Sequence, residues 1–176
     1  MTLAVLLSLA LQDAPFKHEN TPENLKQLFE TIQKAEAKSA LALTNGVLPD
    51  EAALRKGLKD DVTPEFVQQS LALWKSRLPA EDAKRAKVFA PDPAKTEVRV
   101  YASTTEEILK YEKGSIAFAQ FPGGAKKLAE SVLRPKMTYY EVVVAKPGAE
   151  SGVTFHLFYW TGDRWSCLGP IWAAMK

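Results

Sequence analysis

The stretches "MTYYEVVVAK" and "GVTFHLFYW" constrain the fold more than anything that precedes them. Side chains alternate between the two sides of a strand, and here both sides are apolar. In the first stretch Thr138, Tyr140, Val142 and Val144 share one side, and Met137, Tyr139, Glu141 and Val143 the other. In the second, Val153, Phe155, Leu157 and Tyr159 oppose Thr154, His156, Phe158 and Trp160. A sheet with one wet face would carry polar residues at every second position, so these strands need cover on both faces. The loop "PGAESG" joins them. A third strand, "RWSCLGPIW", follows the tight turn "TGDR", where Gly162 and Asp163 supply the backbone freedom of a hairpin. One face is expected to take helices. The other, bearing His156, Phe158 and Trp160, needs a pocket, a partner subunit or a further covering segment.

Helices are expected upstream. "TPENLKQLFETIQKAEAKSALAL" opens with Thr21 as cap, Pro22 in the first turn and Glu23 against the helix dipole. Leu25, Leu28, Phe29 and Ile32 follow on one face, and the helix is expected to run to "TNG" at 44–46. "LPDEAALRKGL" predicts a short helix from Asp50 to about Gly57. "VTPEFVQQSLALWKSRLP" repeats the first start signal and lays down the stripe Phe66, Val67, Ser70, Leu71, Trp74 and Leu78 before Pro79. "AEDAKRAKV" predicts one more charged helix, and "FAPDPAK" is a connector.

The period then changes. "TEVRVYA" alternates as a strand, "STTEEILKYE" carries a capping box from Thr104 to Glu107, and "SIAFAQF" is expected to be a short strand or extended segment. "PGGAKKLAESVLRP" predicts a helix between its Pro-Gly-Gly start and Pro135. Helices over 21–90 and mixed elements over 96–176 define an α+β chain, with helices packed on one face of a curled antiparallel sheet and a C-terminal three-strand meander. At 176 residues, one domain over 15–176 is expected.

One helix leading into three long C-terminal strands, ending on "GDRW" and a hydrophobic tail, resembles the nuclear-transport-factor-2-like and cystatin-like α+β roll over the C-terminal half. The end is also similar to those of exported bacterial proteins of unknown function. The resemblance implies a cone-shaped fold whose open end holds a ligand or active site. It does not imply which, because such folds host unrelated functions.

Compartment and partner class come from charge and the N-terminus. Lys plus Arg number 23 and Asp plus Glu 21, and a net charge of +2 argues against nucleic acid as a partner. Residues Leu3 to Leu11 are apolar except for Ser8, and polarity rises at Gln12-Asp13-Ala14-Pro15, which fits a secretory leader over 1–14. An exported protein, periplasmic or extracellular, is the expectation; a docked N-terminal helix would place it in the cytoplasm. The run is too short to span a bilayer, and no cysteine follows it to carry a lipid, so no stable membrane anchor is expected. The single cysteine, Cys167, excludes an intramolecular disulfide and a cysteine-based metal site.

Candidate chemistry is confined to a few residues. Glu141 and His156, embedded among apolar neighbours on adjacent strands, have the side chains of a general acid and base. Phe158, Trp160, Tyr140 and Trp165 are the candidate ligand-binding residues, and Trp160, Trp165 and Trp172 together would make a sugar-stacking surface. The same aromatics also serve as cross-strand partners that close a hydrophobic seam. Two histidines without a metal-binding spacing leave no zinc motif, and no cofactor fingerprint is present. "FPGGAKKLAE" places two glycines and two lysines at a helix start, an anion-cradle pattern that equally describes a plain loop-to-helix junction. Cys167 in a closing strand is expected to be a buried, inert thiol.

The leading function expected is a binding or interaction module that uses an apolar sheet face for a small molecule, a protein partner or a second copy in a homodimer. The alternatives are an isomerase- or dehydratase-type enzyme with a His/Glu pocket, and a carbohydrate-binding surface.

Overall fold

A computed structural model describes residues 16–175; the leader expected over 1–14 lies outside the described residues. The elements are α1 (Pro22–Lys34), α2 (Ala37–Val47), α3 (Glu51–Gly57), α4 (Pro64–Arg77), α5 (Asp82–Arg85) and β1 (Glu97–Thr104). Then come α6 (Thr105–Lys110), α7 (Ile116–Gln120), α8 (Gly123–Ser131), β2 (Thr138–Ala145), β3 (Val153–Trp160), β4 (Trp165–Cys167) and a final 3-10 turn (Ile171–Ala174). The four strands pair antiparallel in the order β1-β2-β3-β4, and the sheet is not closed. The fold is α+β.

The local start signals act as their chemistry requires. The Thr21 hydroxyl accepts from the Asn24 amide at 3.1 Å, the Asp50 carboxylate from the Ala53 amide at 2.7 Å, and Thr63 from Phe66 at 3.3 Å. Both arms of the Thr104–Glu107 capping box are made.

Three elements differ from the sequence expectation. The first helix breaks at Ala35–Glu36, where the backbone turns extended, and α2 runs on through Gly46 to Val47. The break lets α1 lay its stripe on the sheet while α2 folds back and buries Ala40, Thr44 and Val47; Gly46 faces open space, where its only cost is propensity. "SIAFAQF" is helix α7, capped by the Ser115 hydroxyl, because only its small Ala117 is buried there. The last strand ends at Cys167, and Gly169, at a φ of +62, turns the chain into the 3-10 turn.

Both faces of the sheet are covered, as the apolar strands require. Helices pack on both faces of the sheet. On one face Val98, Tyr140, Val142, Val144, Phe158 and Trp165 meet the apolar stripe of α1, residues of α2 and Phe89. On the other Tyr139, Leu157 and Tyr159 meet α3, α4, α6, α7, α8 and Ile171. Strand β2 is therefore buried at every position from Tyr139 to Ala145. Of the three covers expected for the second face, a pocket, a partner subunit or a further segment, it is the chain's own helices that supply it.

Polar ends of large aromatics lock these layers together. The Tyr139 hydroxyl donates to the Gly57 carbonyl and the Tyr159 hydroxyl to the Ala53 carbonyl at 2.7 Å, fastening α3 to the sheet. Trp165 Nε1 donates to Asn24 Oδ1 at 2.9 Å, tying β4 to the start of α1, and Trp74 Nε1 donates to the Leu168 carbonyl at 2.9 Å. Tyr159→Phe removes one of these buried bonds without changing ring volume. It is expected to cost about 1 kcal/mol of stability, read as a lower urea midpoint with an unchanged slope.

Candidate functional site

A break in strand register builds the one buried carboxylate–imidazole pair among the described residues. Tyr140 pairs with Phe158 and Val142 with Phe155, so His156 and Leu157 together face the single residue Glu141. This is a β-bulge, and Leu157 takes its strain at a φ of +58, an uncommon conformation for a branched residue. The bulge re-aims His156. Its Nδ1 lies 2.5 Å from Glu141 Oε2, and the Leu157 amide donates to Glu141 Oε1 at 3.3 Å. The sequence singled out this pair, and the fold brings it together.

The bulge also corrects the expected faces. Strict alternation placed His156 with Phe158 and Trp160, and Phe155 opposite them. With one residue inserted, Phe155, Phe158 and Trp160 all pack on the α1–α2 side. His156 turns to the other side, where its ring packs edge-to-face with Trp172, the ring centroids 5.4 Å apart.

The electrostatics are those of a carboxylate taken out of water. Glu141 is fully buried, and the His156 side chain retains 26% of its exposure. Burial raises the Glu141 carboxyl above its ordinary range, opposed by the bond from His156 and by the Leu157 amide. Nε2 of His156 makes no hydrogen bond among the described residues and is not buried, so the ring offers one nitrogen to solvent. With Nδ1 facing a carboxylate, the neutral ring carries its proton there and keeps a lone pair on Nε2.

Of the other expected site residues, three lie in the core and Trp160 is partly buried against it. Phe158 and Trp165 are fully buried and Tyr140 nearly so, each part of the α1–α2 side of the core. Trp160 meets Trp165 edge to face at 74°, and Trp172 lies across the sheet beside His156. These rings form no flat exposed pair for stacking on a sugar. At the Pro-Gly-Gly start of α8, the Trp172 indole occupies the space a Cβ on Gly124 would need, so this glycine is there for packing. Cys167 is buried, its Sγ 3.3 Å from the His156 carbonyl, and burial pushes the thiol pKa up. Among the described residues, no three His, Cys, Asp or Glu side chains come together as a metal site, and no helix is long and apolar enough to cross a membrane.

Open space lies elsewhere. A cleft of about 560 Å³ runs between the end of α1, the start of α2, α5 and the 90–96 segment. Its walls are small and apolar, including Ile32, Ala35, Ala40, Ala86, Ala90 and Pro93. Lys34, Lys87 and Lys95 stand at its rim. Asp92 and Glu30, also at the rim, lie 3.9 Å from Lys95 and Lys26 respectively; Lys34 and Lys87 have no ion pair among the described residues. The sequence reading missed this cleft. Its signal was the alanine density of "KAEAKSALAL" and "AEDAKRAK", two segments whose short side chains leave room where they face each other.

Among the described residues, the large hydrophobic residues left exposed are Leu109, Ile116 and Phe118, at 44%, 52% and 46%, all within α6, α7 and their connection.

In comparisons with known proteins the chain matches no family model, no curated protein and no solved structure.

His156→Leu tests how far the pair holds the fold. It leaves Glu141 buried without its imidazole and is expected to cost about 3 kcal/mol near neutral pH. A carboxyl whose folded pKa lies above its unfolded value is best tolerated below that unfolded value, and its contribution is lost as pH rises through the folded one. Removing His156 raises the folded value further. The deficit of the variant is therefore expected to shrink towards about pH 4, measured by urea unfolding across the pH range; a pH-independent deficit would contradict the assignment.

Proposed function

We propose that this protein is a binding module that seats an amphipathic anion, such as a carboxylate with an apolar body, in the cleft between α1, α2 and α5. The observation that carries the reading is the cleft itself. Its volume of about 560 Å³ lies within the range of small-molecule sites, and it is walled by apolar side chains with a few charges at the mouth. Lys34 and Lys87, without an ion pair among the described residues, suit an anionic head, while the alanine walls suit a hydrocarbon body. Both faces of the sheet being filled moves the expected binding site from the sheet to this helical cleft. The apolar run Leu3 to Leu11 supports work outside the cytoplasm, and a mature N-terminus beginning after residue 11 would test that part of the reading.

Titration of the full chain with a fluorescent medium-chain carboxylate is expected to saturate with one site. Ala37→Trp and Ala83→Trp, at exposed positions lining the cleft, fill its mouth and are expected to weaken binding by about tenfold or more, equivalent to about 1.4 kcal/mol. Charge reversal at Lys34 and Lys87 should weaken binding of the carboxylate and leave that of its methyl ester unchanged. Binding insensitive to all four variants would refute the assignment.

A second reading, self-association into a homodimer, rests on the exposed Leu109, Ile116 and Phe118. If this surface joins two copies, light scattering will give a dimer mass for the wild type and a monomer mass for Ile116→Ser with Phe118→Ser. A wild type that stays monomeric at high concentration rejects it.

A further inference from the structure

The binding reading leaves the Glu141–His156 pair unused, and the pair has features that packing alone does not require. A carboxylate sits in the centre of a sheet at full burial, although an apolar residue there would avoid the cost of desolvation. A β-bulge, with a leucine held in left-handed conformation, turns the one nearby histidine onto it. The histidine is held by Nδ1 at 2.5 Å, while its second nitrogen has no hydrogen-bond partner among the described residues and is not fully buried. This is the arrangement by which a fixed carboxylate orients an imidazole and raises the electron density on the opposite nitrogen.

We propose that His156 is a nucleophilic catalyst for the hydrolysis of small activated esters, with Glu141 as its positioning residue. The substrate is small because the partly exposed His156 lines neither the cleft between α1, α2 and α5 nor the one beside Arg55 and Arg134. The Trp172 ring beside the imidazole gives an aromatic leaving group an apolar neighbour.

The chemistry closes in two steps. In the first, the Nε2 lone pair attacks the ester carbonyl carbon, and the bond from that carbon to the leaving oxygen breaks with its electron pair. The alkoxide or phenolate departs, the Nδ1 proton passes to Glu141, and a neutral N-acylimidazole remains. In the second, water adds to the acyl carbon and the C–N bond breaks, its electron pair returning to Nε2. Glu141 gives its proton back to Nδ1, the acid takes the hydroxyl of water, and the remaining proton of water neutralises the departed oxyanion. The sum is ester plus water to acid plus alcohol.

The test uses the full chain and p-nitrophenyl acetate. The wild type is expected to release p-nitrophenolate about tenfold faster than the same concentration of free imidazole, the lower end of what a positioned group contributes. His156→Ala should fall to background and recover when free imidazole is added to the trimmed site, which a purely structural histidine would not do. Should His156→Ala fail to fold, His156→Gln keeps a polar contact to Glu141, lacks the nucleophile and is expected to be equally inactive. Glu141→Gln should lower the rate about tenfold with the KM unchanged, and Glu141→Asp should restore part of it. His18→Ala should keep the full rate. Activity that survives in His156→Gln, or an acetyl group found by mass spectrometry on a lysine or on His18 instead of His156, would overturn the proposal. The ester rate is read on p-nitrophenyl acetate and the cleft on the fluorescent carboxylate, so the two sites succeed or fail separately.

Discussion

Strand β2 is flanked by a strand on each side and covered by helices above and below, and the rest of the molecule is arranged around burying it. Each of its large apolar side chains contributes roughly 1.5–3 kcal/mol when taken out of water. Tyr139, Tyr140, Val142 and Val144 together outweigh the desolvation of the one carboxylate among them, several kcal/mol in order of magnitude. The carboxylate is therefore carried into the interior by its neighbours, and the structure must supply it with partners. The bulge in β3 does this by bringing both the His156 ring and the Leu157 amide to Glu141.

The same bulge sorts the aromatic residues between two layers. Phe29, Phe89, Phe155 and Phe158 form a cluster of tilted and edge-to-face rings with centroids 5.3 to 5.6 Å apart on the α1–α2 side. Tyr159 and Tyr139 stay on the α3 side, where their hydroxyls reach helix carbonyls. A strand of strict period two would have put Phe155 on the side of Leu157 and left a gap in this cluster. Packing of the phenylalanines and the aim of His156 thus follow from one inserted residue, which couples the core of the molecule to its most reactive-looking side chain.

Much of the fold was legible from local chemistry. Thr21, Asp50, Thr63 and Thr104 mark helix starts because a side-chain oxygen one turn upstream satisfies amides that nothing else nearby can. The burial of both sides of β2, and of Leu157 to Tyr159 in β3, followed from their composition. The end of the first helix and the state of "SIAFAQF" were not legible: Gly46 is a stop signal only when the chain must leave the helix there, and Ala117 decides for helix only once a sheet lies beneath it. The site was half visible. Glu141 and His156 stood out as polar groups in apolar strands, whereas Trp172 beside them and the alanine cleft depend on segments that meet only in three dimensions.

By itself the sequence determined the kinds of element, most of their starts and the need for two layers of cover, because caps and hydrophobic periodicity act over a few residues. Tertiary structure decided that the chain's own helices fill both faces, that β3 slips by one residue opposite Glu141, and that His156 therefore faces Trp172 and not Phe158. The reason is physical: strand register and helix placement are set by contacts between residues far apart in the chain, such as Trp165 with Asn24 and Tyr159 with Ala53. A one-residue shift changes the face of every side chain that follows, and no local pattern records it.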